Sequence, residues 1–288
     1  METLYTIITP VHNEAIYIEH TIKAVLSQTI SPSLWIIVDD GSTDGTFEII
    51  CEYGQGYSWI KPIRMPNLTQ RSRGAHVAEI FNYGFGFIEN NYDYIVKLDG
   101  DVSFNENYFE SLFNKFLDNP KLGIAGGVIY NKITNSWKLE ITPKDHVRGA
   151  TKVYRRKCFE DIGGIESVNG WDSIDEWRAQ MRGWQTRTYE EIKIFHHRPT
   201  GASDGKLKRF YRQGEFAFFL GYPWIAIIAR SFYRSLIEKP YILGGISIFF
   251  GYLLNWFFRK PKFHDTELRD YVKKKQIRRL VFWNKNIS

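Results

Sequence analysis

Short apolar runs alternate with stretches of helical periodicity over the first hundred residues. Four β-branched and apolar runs have the length of buried strands: residues 4–9, 34–38, 59–65 and 94–98. Three intervening stretches have apolar residues at helical spacing: residues 18–26, 46–53 and 73–89. This alternation predicts an α/β fold with a mixed, mainly parallel sheet flanked by helices.

The rest of the chain is less regular. Further strands are predicted at residues 122–130, 150–154 and 186–195, and a short helix at 174–184. We expect two domains, a catalytic domain over residues 1–205 and an apolar helical module over residues 206–288.

Three of the predicted strands run directly into polar clusters. The clusters are His12 with Glu14, Asp39 with Asp40, and Asp99 with Asp101. Ligands of such sheets bind beyond the carboxyl ends of the strands. The convergence of three clusters on one edge therefore predicts a functional site there.

The motif Asp99-Gly100-Asp101 favours a divalent cation. Two carboxylates one residue apart can hold Mn²⁺ or Mg²⁺, which prefer oxygen ligands and can stabilise a departing diphosphate. The alternative is a solvated acidic turn, but the position at a strand end favours the metal.

The segment 39–46 has two compatible interpretations. Asp44 can cap the next helix, as Asp commonly does. Asp39 or Asp40 can meanwhile accept a hydrogen bond from the ring of a nucleotide base, uracil or guanine.

Three motifs together resemble family 2 glycosyltransferases of GT-A fold. They are Thr9-Pro10-Val11-His12-Asn13-Glu14, Val38-Asp39-Asp40-Gly41-Ser42-Thr43-Asp44-Gly45-Thr46 and Lys97-Leu98-Asp99-Gly100-Asp101. The resemblance covers roughly residues 3–200. It implies a nucleotide-diphosphate-sugar donor, metal binding at Asp99 and Asp101, and inversion at the transferred sugar.

The resemblance also implies which residues line the nucleotide site. These are Thr9, Pro10, His12, Glu14, Asp39, Asp40, Asp99 and Gly100. Arg71 and Arg73 lie where the family often places a basic residue near the base or phosphates, although both also fit a solvated helix start.

Inverting transfer needs a general base to take the acceptor hydroxyl proton. The family carries it on an acidic motif before a short helix, and the candidates here are Asp172, Asp175 and Glu176. We prefer Asp175, then Asp172, then Glu176, although all three also suit a helix N-terminus. The segment 180–184 departs from the signature of processive synthases, which favours transfer of one sugar.

Residues 196–198, His-His-Arg, follow the strand predicted at 186–195. A histidine here resembles the third metal or diphosphate contact of some relatives, and we prefer His197 for this role. A surface histidine without a ligand is the alternative.

The net charge of +6 belongs to one end of the chain. Residues 259–288 carry a net +7 and the remainder sums to −1, so no nucleic-acid partner is predicted. Two distant cysteines without metal-site spacing indicate a reducing compartment. The N-terminus has the pattern of a first strand rather than of a signal peptide.

Residues 241–258 carry no charge. They can cross a bilayer, form a re-entrant pair with residues 216–229, or lie in the membrane interface through residues 210–288. The alternative is an aromatic core or a homo-oligomer interface. We expect a protein at the cytoplasmic face of a membrane, peripheral or re-entrant.

The predicted function is transfer of a hexose to a saccharide or lipid-linked acceptor, in surface polysaccharide or glycolipid assembly. A sugar-phosphate nucleotidyltransferase would have a Gly-rich basic loop after the first strand, where this chain has residues 10–14. A non-catalytic membrane-bound scaffold is a third hypothesis, disfavoured by the intact acidic motifs.

Overall fold

A computed structural model describes residues 3–66, 74–89, 91–198 and 205–285. The chain divides into two compact units, Met1–Pro199 and Thr200–Ser288.

The first unit contains nine strands and six helices among its described residues. The strands are β1 Tyr5–Val11, β2 Leu34–Asp39, β3 Ile60–Arg64, β4 Tyr94–Leu98, β5 Val102–Phe104, β6 Leu122–Ile133, β7 Ser136–Leu139, β8 Thr151–Arg155 and β9 Gln185–His196. The helices are α1 Ile18–Leu26, α2 Thr46–Gly56, α3 Ala75–Phe85, α4 Tyr108–Asp118, α5 Arg156–Asp161 and α6 Trp171–Met181.

All the strands of this unit form one mixed sheet in the order β3-β2-β1-β4-β8-β6-β9-β5, with β7 paired to β6. The pairs among β3, β2, β1 and β4 are parallel, as is β6 with β9. The strands β8, β5 and β7 pair antiparallel with their neighbours. The predicted α/β sheet flanked by helices is confirmed, but parallel pairing predominates only in its N-terminal half.

Alternate residues of the central strands pack on opposite faces of the sheet, which is why these strands read as continuous apolar runs. On one face, Ile7 packs in a cluster with Ile22 of α1 and Phe113 of α4. On the other face, Ile8 packs in a cluster with Phe81 of α3. Because both faces are covered, a ligand reaches the sheet at its edge.

Helix α4 was not identified from the sequence. Its buried side chains are spaced as one helical face: Tyr108, Phe109, Leu112, Phe113 and Phe116. The helix predicted at 73–89 is shorter and begins at Ala75, after the stretch that the structure leaves undescribed.

The second unit contains four helices among its described residues: α7 Lys206–Phe219, α8 Trp224–Ile237, α9 Tyr241–Phe257 and α10 Thr266–Lys285. In the part of the chain that the structure describes, no helix has both the length and the apolar character needed to cross a bilayer. The spanning arrangement considered for residues 241–258 therefore has no support here.

Candidate active site

Asp99 and Asp101 lie at the carboxyl end of β4, and the glycine between them packs closely against neighbouring side chains. A Cβ on Gly100 would lie 2.8 Å from Cγ1 of Val11, at the end of β1. The Asp99 amide donates to the carbonyl of Ala150 at 2.8 Å. The ends of β1 and β4 are thus held in close contact, with both aspartates at the same edge of the sheet.

Asp99, Asp101 and His196 form a group with the composition of a metal site. One ligand atom from each lies within 4.8 Å of the others. Asp101 Oδ1 is buried, and no donor among the described residues meets it with hydrogen-bond geometry, although His196 Nε2 is 3.2 Å away. An oxygen-rich set with an unsatisfied carboxylate suits Mn²⁺ or Mg²⁺.

The structure places His196, not His197, beside the two aspartates. His196 is the last residue of β9 and is buried, opposite Val102 of β5. Since side chains alternate along a strand, the next residue points away. The His197 ring stacks on His20 with centroids 4.3 Å apart, and its Nε2 lies 2.8 Å from Ser103 Oγ. The structure therefore corrects the choice between the two histidines, since it brings His196, and not the predicted His197, together with the two aspartates.

Glu14 adds a third carboxylate to this edge. Its Oε2 accepts a 2.5 Å hydrogen bond from Arg198, whose Nε also lies 3.6 Å from Asp101 Oδ2. Burial raises the pKa of Glu14 to about 8, with Asp101 and Asp99 adding to the shift and Arg198 opposing it. The edge thus brings three carboxyl groups together, and a bound cation would favour their ionised forms.

The loops after β1 and β2 are joined by hydrogen bonds from the sequence motifs themselves. Asn13 makes two such bonds, both of 2.9 Å. Its backbone amide donates to Ser42 Oγ, and its side-chain Oδ1 accepts from the backbone amide of Thr43. Asp44 accepts from the amides of Ala15 and Thr46 at 3.0 and 3.1 Å. Much of the second motif therefore shapes the site rather than contacting a ligand.

Asp39 and Asp40 are both buried and have protein partners. Asp39 Oδ2 accepts from Arg64 Nε at 2.9 Å, and its carboxylate also receives the amide of Ser42. Asp40 Oδ2 lies 2.8 Å from Nε2 of His76. Of the two, only Asp40 keeps some side-chain exposure, about a tenth, so it is the better placed to meet a base.

Three further predicted nucleotide contacts differ in their surroundings. Thr9 is fully buried, and its hydroxyl accepts from the Trp35 indole at 2.9 Å, so its side chain belongs to the core. Pro10 is half-buried at the end of β1, and His12 Nδ1 lies 2.8 Å from the Asp40 carbonyl. Arg71 and Arg73 lie outside the described residues.

The three acids of α6 occupy two environments. Asp175 and Glu176 are buried, and Lys152 Nζ lies 2.8 Å from Asp175 and 3.1 Å from Glu176. Burial raises the pKa of Asp175, and Lys152 opposes the shift. Asp172 instead keeps a quarter of its side chain exposed, with Arg148 Nη1 4.0 Å away. Only Asp172 can meet a substrate without a rearrangement of the fold.

Two buried lysines connect the aspartate motif to α6. Lys97 contacts Asp99 and donates to the carbonyl of Gly149 at 2.6 Å. A Cβ on Gly149 would lie 3.5 Å from Cβ of Asp172. Asp99 and Asp172 therefore flank the same loop. Lys97 belongs to the third sequence motif but was given no role there, and Lys152 was not singled out, although a charged residue inside an apolar strand was the available signal.

A chain of polar contacts runs along the other side of this edge. His196 Nδ1 lies 3.1 Å from Asn131 Oδ1, and Asn131 donates to Glu140 at 3.0 Å. Glu140 pairs with Arg148 at 2.9 Å, and Arg148 in turn approaches Asp172. A ligating histidine commonly has such a partner on its other ring nitrogen, which fixes the orientation of the ring.

The family model for glycosyl transferase family 2 matches residues 6–165 of this chain, which is more than half of it. The chain therefore belongs to that family, and its class of enzyme is that of a glycosyltransferase. This confirms the family inferred from the three motifs and disfavours the nucleotidyltransferase alternative.

Individual relatives are distant. The chain is 28% identical over 260 residues to the minor teichoic acid biosynthesis protein GgaA of Bacillus subtilis. The aligned region covers 83% of this chain but only 57% of GgaA. Two solved structures share its fold. The mannosyltransferase PcManGT from Pyrobaculum calidifontis, in complex with GDP-Man and Mn²⁺, aligns with a TM-score of 0.56 and 17% identity, covering 87% of this chain and 70% of that one. S. aureus TarS 1–349, in complex with UDP-GlcNAc, aligns with a TM-score of 0.55 and 14% identity. This alignment covers 90% of this chain and 74% of the TarS chain.

Proposed function

We propose that the protein transfers one sugar from a nucleotide-diphosphate sugar to an acceptor hydroxyl, with metal assistance and inversion at the anomeric carbon. One observation carries the proposal. Asp99, Asp101 and His196 bring three ligand atoms within 4.8 Å of one another at the edge of the sheet where such folds bind ligands.

The residues present fit a divalent cation. Asp99, Asp101 and His196 would hold it, and the buried Oδ1 of Asp101, which no described donor meets with hydrogen-bond geometry, is suited to bind the cation. When bound, Mn²⁺ or Mg²⁺ neutralises charge on the diphosphate. Lys97 holds Asp99 from the protein side, which orients the carboxylate towards the site edge.

Asp172 is the proposed general base, which revises the preference for Asp175. Asp175 is buried and accepts from both Lys152 and Tyr154, so an acceptor hydroxyl cannot reach it. A base must come within hydrogen-bond reach of the proton that it takes. Asp172 has the required exposure and flanks the same loop as Asp99.

The proposed step is a single displacement. The acceptor oxygen forms a bond to the anomeric carbon while the bond from that carbon to the diphosphate oxygen breaks. The hydroxyl proton passes to Asp172, and the nucleoside diphosphate leaves with the bonding electron pair. Attack from the face opposite the leaving group gives inversion.

The donor and acceptor classes rest on the relatives. PcManGT was solved with GDP-Man and TarS with UDP-GlcNAc, so both guanine and uracil nucleotides are candidates. GgaA is a teichoic acid biosynthesis protein, which favours a surface polymer or glycolipid as acceptor. Asp40, with His76 behind it, is the candidate contact for the base.

Thermal stability of the full chain against UDP, GDP and their sugar conjugates, with and without Mn²⁺, tests the donor site. We expect one nucleotide to stabilise the chain in a metal-dependent manner, and Asp101→Asn to abolish that stabilisation. Asp118→Asn, an exposed acid at the end of α4, is the matched control. Folded protein that responds to no nucleotide would support the scaffold hypothesis instead.

A further inference from the structure

The helices α8 and α9 expose an unusual share of the large apolar side chains of this protein. Of the 26 that are exposed among the described residues, 16 lie between residues 224 and 258. The solvent-facing row of α8 consists of Ile225, Ile228, Phe232 and Leu236. The corresponding row of α9 consists of Ile242, Ile246, Phe250, Leu254 and Phe257. A surface helix of a globular protein normally carries charged or polar residues in these rows.

The buried face of α9 differs, because three of its five buried residues are glycines, Gly244, Gly245 and Gly251, beside Ile248 and Tyr252. A Cβ on Gly245 would lie 2.2 Å from the carbonyl oxygen of Ser231 in α8. A Cβ on Gly251 would lie 2.1 Å from the carbonyl oxygen of Tyr211 in α7. Helix α9 therefore packs by close backbone approach on two sides, while Tyr252 also packs on Phe218 of α7 and Trp224 of α8. Most of its other large apolar side chains lie on the exposed face.

Small residues inside and large apolar residues outside is the arrangement of helices whose surroundings are lipid. In water the same rows would form an exposed patch of a kind that marks an interaction surface. Two polar side chains of these helices have backbone acceptors, since the buried Tyr252 donates to the Tyr222 carbonyl at 2.7 Å and the half-buried Ser235 to the Ser231 carbonyl at 2.9 Å.

Aromatic and cationic residues border the apolar rows. Trp224, Tyr233, Tyr241 and Trp256 are all exposed, and such residues favour the headgroup level of a bilayer. Lys239 lies in the turn between α8 and α9, and Arg259 and Lys260 follow α9 directly; all three are exposed. A cleft of about 840 Å³ at this turn is lined by Lys206, Lys208 and Lys239 together with apolar residues of α9.

We infer that the exposed face of α8 and α9 is a bilayer-docking surface, which lies in one leaflet without crossing the membrane. The apolar rows would enter the acyl region, and the lysines and Arg259 would meet anionic headgroups. The charge at the border is what favours a lipid surface over a second copy of this chain. The inference does not depend on the catalytic proposal, because it rests on the second unit alone.

Flotation of the full chain with lipid vesicles tests this inference. Protein purified in detergent would be mixed with vesicles of phosphatidylcholine, alone or with phosphatidylglycerol, and the detergent would then be removed. We expect the protein to float with the vesicles, with the larger fraction bound to the anionic mixture. In the double variant Phe232→Glu/Phe250→Glu, the bound-to-free ratio should fall at least about tenfold.

The matched control is Phe87→Glu/Leu117→Glu, which changes two exposed apolar residues of the first unit and should float like the parent chain. Circular dichroism would show whether each variant is folded. As a second test, Lys239→Gln/Lys260→Gln should weaken binding to the anionic vesicles alone. Parent protein that stays free of both vesicles, or a folded Phe232→Glu/Phe250→Glu variant that floats equally well, would overturn the inference. The inference would also be overturned if the parent chain bound no vesicles and formed a dimer in solution, and the Phe232→Glu/Phe250→Glu variant were monomeric.

Discussion

Lys97 and Lys152 are directly opposite each other on the antiparallel strands β4 and β8, and both side chains are excluded from solvent. Like charges in such a pair are unfavourable unless each has its own counter-ion. Lys97 contacts Asp99, while Lys152 contacts Asp175 and Glu176. The Trp171 ring centroid lies 5.5 and 5.6 Å from the two ammonium groups. Lys97 therefore pairs with the acid beside the proposed metal position, and Lys152 pairs with the two acids inside the fold.

Lys152→Met should destabilise the protein strongly. Its removal leaves Asp175 and Glu176 buried without their cation, and such a loss typically lowers the free energy of unfolding by about 3–5 kcal/mol. Urea denaturation followed by circular dichroism measures it. Lys115→Met, which removes an exposed ion pair with Glu191, is the control and should change stability far less. Equal stability of the two variants would mean that the buried acids are protonated or find other partners.

Asp172→Asn should stop turnover while leaving donor binding intact. The amide cannot accept the hydroxyl proton, and loss of a general base typically lowers kcat by about 10²–10⁴-fold. The measurement is nucleoside diphosphate release from the nucleotide sugar that stabilises the protein, beside calorimetric titration of the same nucleotide.

Asp175→Asn separates this hypothesis from the first preference drawn from the sequence. We expect this variant to be less stable than the parent chain but still active where it is folded, because Asp175 accepts hydrogen bonds from Lys152 and Tyr154 in the core. A stable Asp175→Asn protein without activity, together with an active Asp172→Asn protein, would return the base assignment to Asp175.

The sheet and its acidic edge were predictable because apolar runs report burial directly. Strands β1, β2 and β4 are almost wholly buried, so their ends and the polar clusters after them are visible in the sequence. The antiparallel half was not predictable in the same way. The pairing of β8 between β4 and β6 depends on contacts between distant segments, which no local pattern specifies.

The choice among neighbouring site residues depended on the same long-range pairing. Whether His196 or His197 faces the aspartates follows from the register of β9 against β5 and β6, and the latter pairing contains two register shifts. The different surroundings of Asp172 and Asp175 follow from Lys152 of β8, whose ammonium group contacts the Asp172 carbonyl and the Asp175 carboxylate. The spacing of these residues in the sequence predicted that they lie near the site, but it could not predict which of each pair faces it.

His196→Ala and His197→Ala should separate the two histidines. Loss of His196 removes a proposed ligand, and we expect Mn²⁺ affinity to fall by at least about tenfold, the scale seen even for residues that only support a ligand. His197 contacts His20 and Ser103 instead, so its variant should bind Mn²⁺ like the parent. Titration of Mn²⁺ in the presence of nucleotide, followed by electron paramagnetic resonance, gives both affinities. Weakened binding in His197→Ala alone would restore the assignment made from sequence.

The contact between His76 and Asp40 should make stability depend on pH. Burial alone would lower the pKa of His76, but hydrogen bonds to Glu79 and Asp40 outweigh it and raise the pKa above its usual 6.5. A group whose pKa is higher in the folded state contributes stability that is fully present below its unfolded pKa. That contribution is then lost as the pH rises through the folded pKa.

Urea unfolding of the parent chain between pH 5.5 and 8.5, a range set by the usual histidine pKa of about 6.5, should therefore show this loss of stability on the alkaline side. His76→Asn should remove that part of the pH dependence, because its amide does not titrate. His20→Asn, at an exposed histidine on α1, should keep it. If His76→Asn follows the same profile as the parent, the charge on His76 does not stabilise the fold, and Asp40 is held by its other contacts.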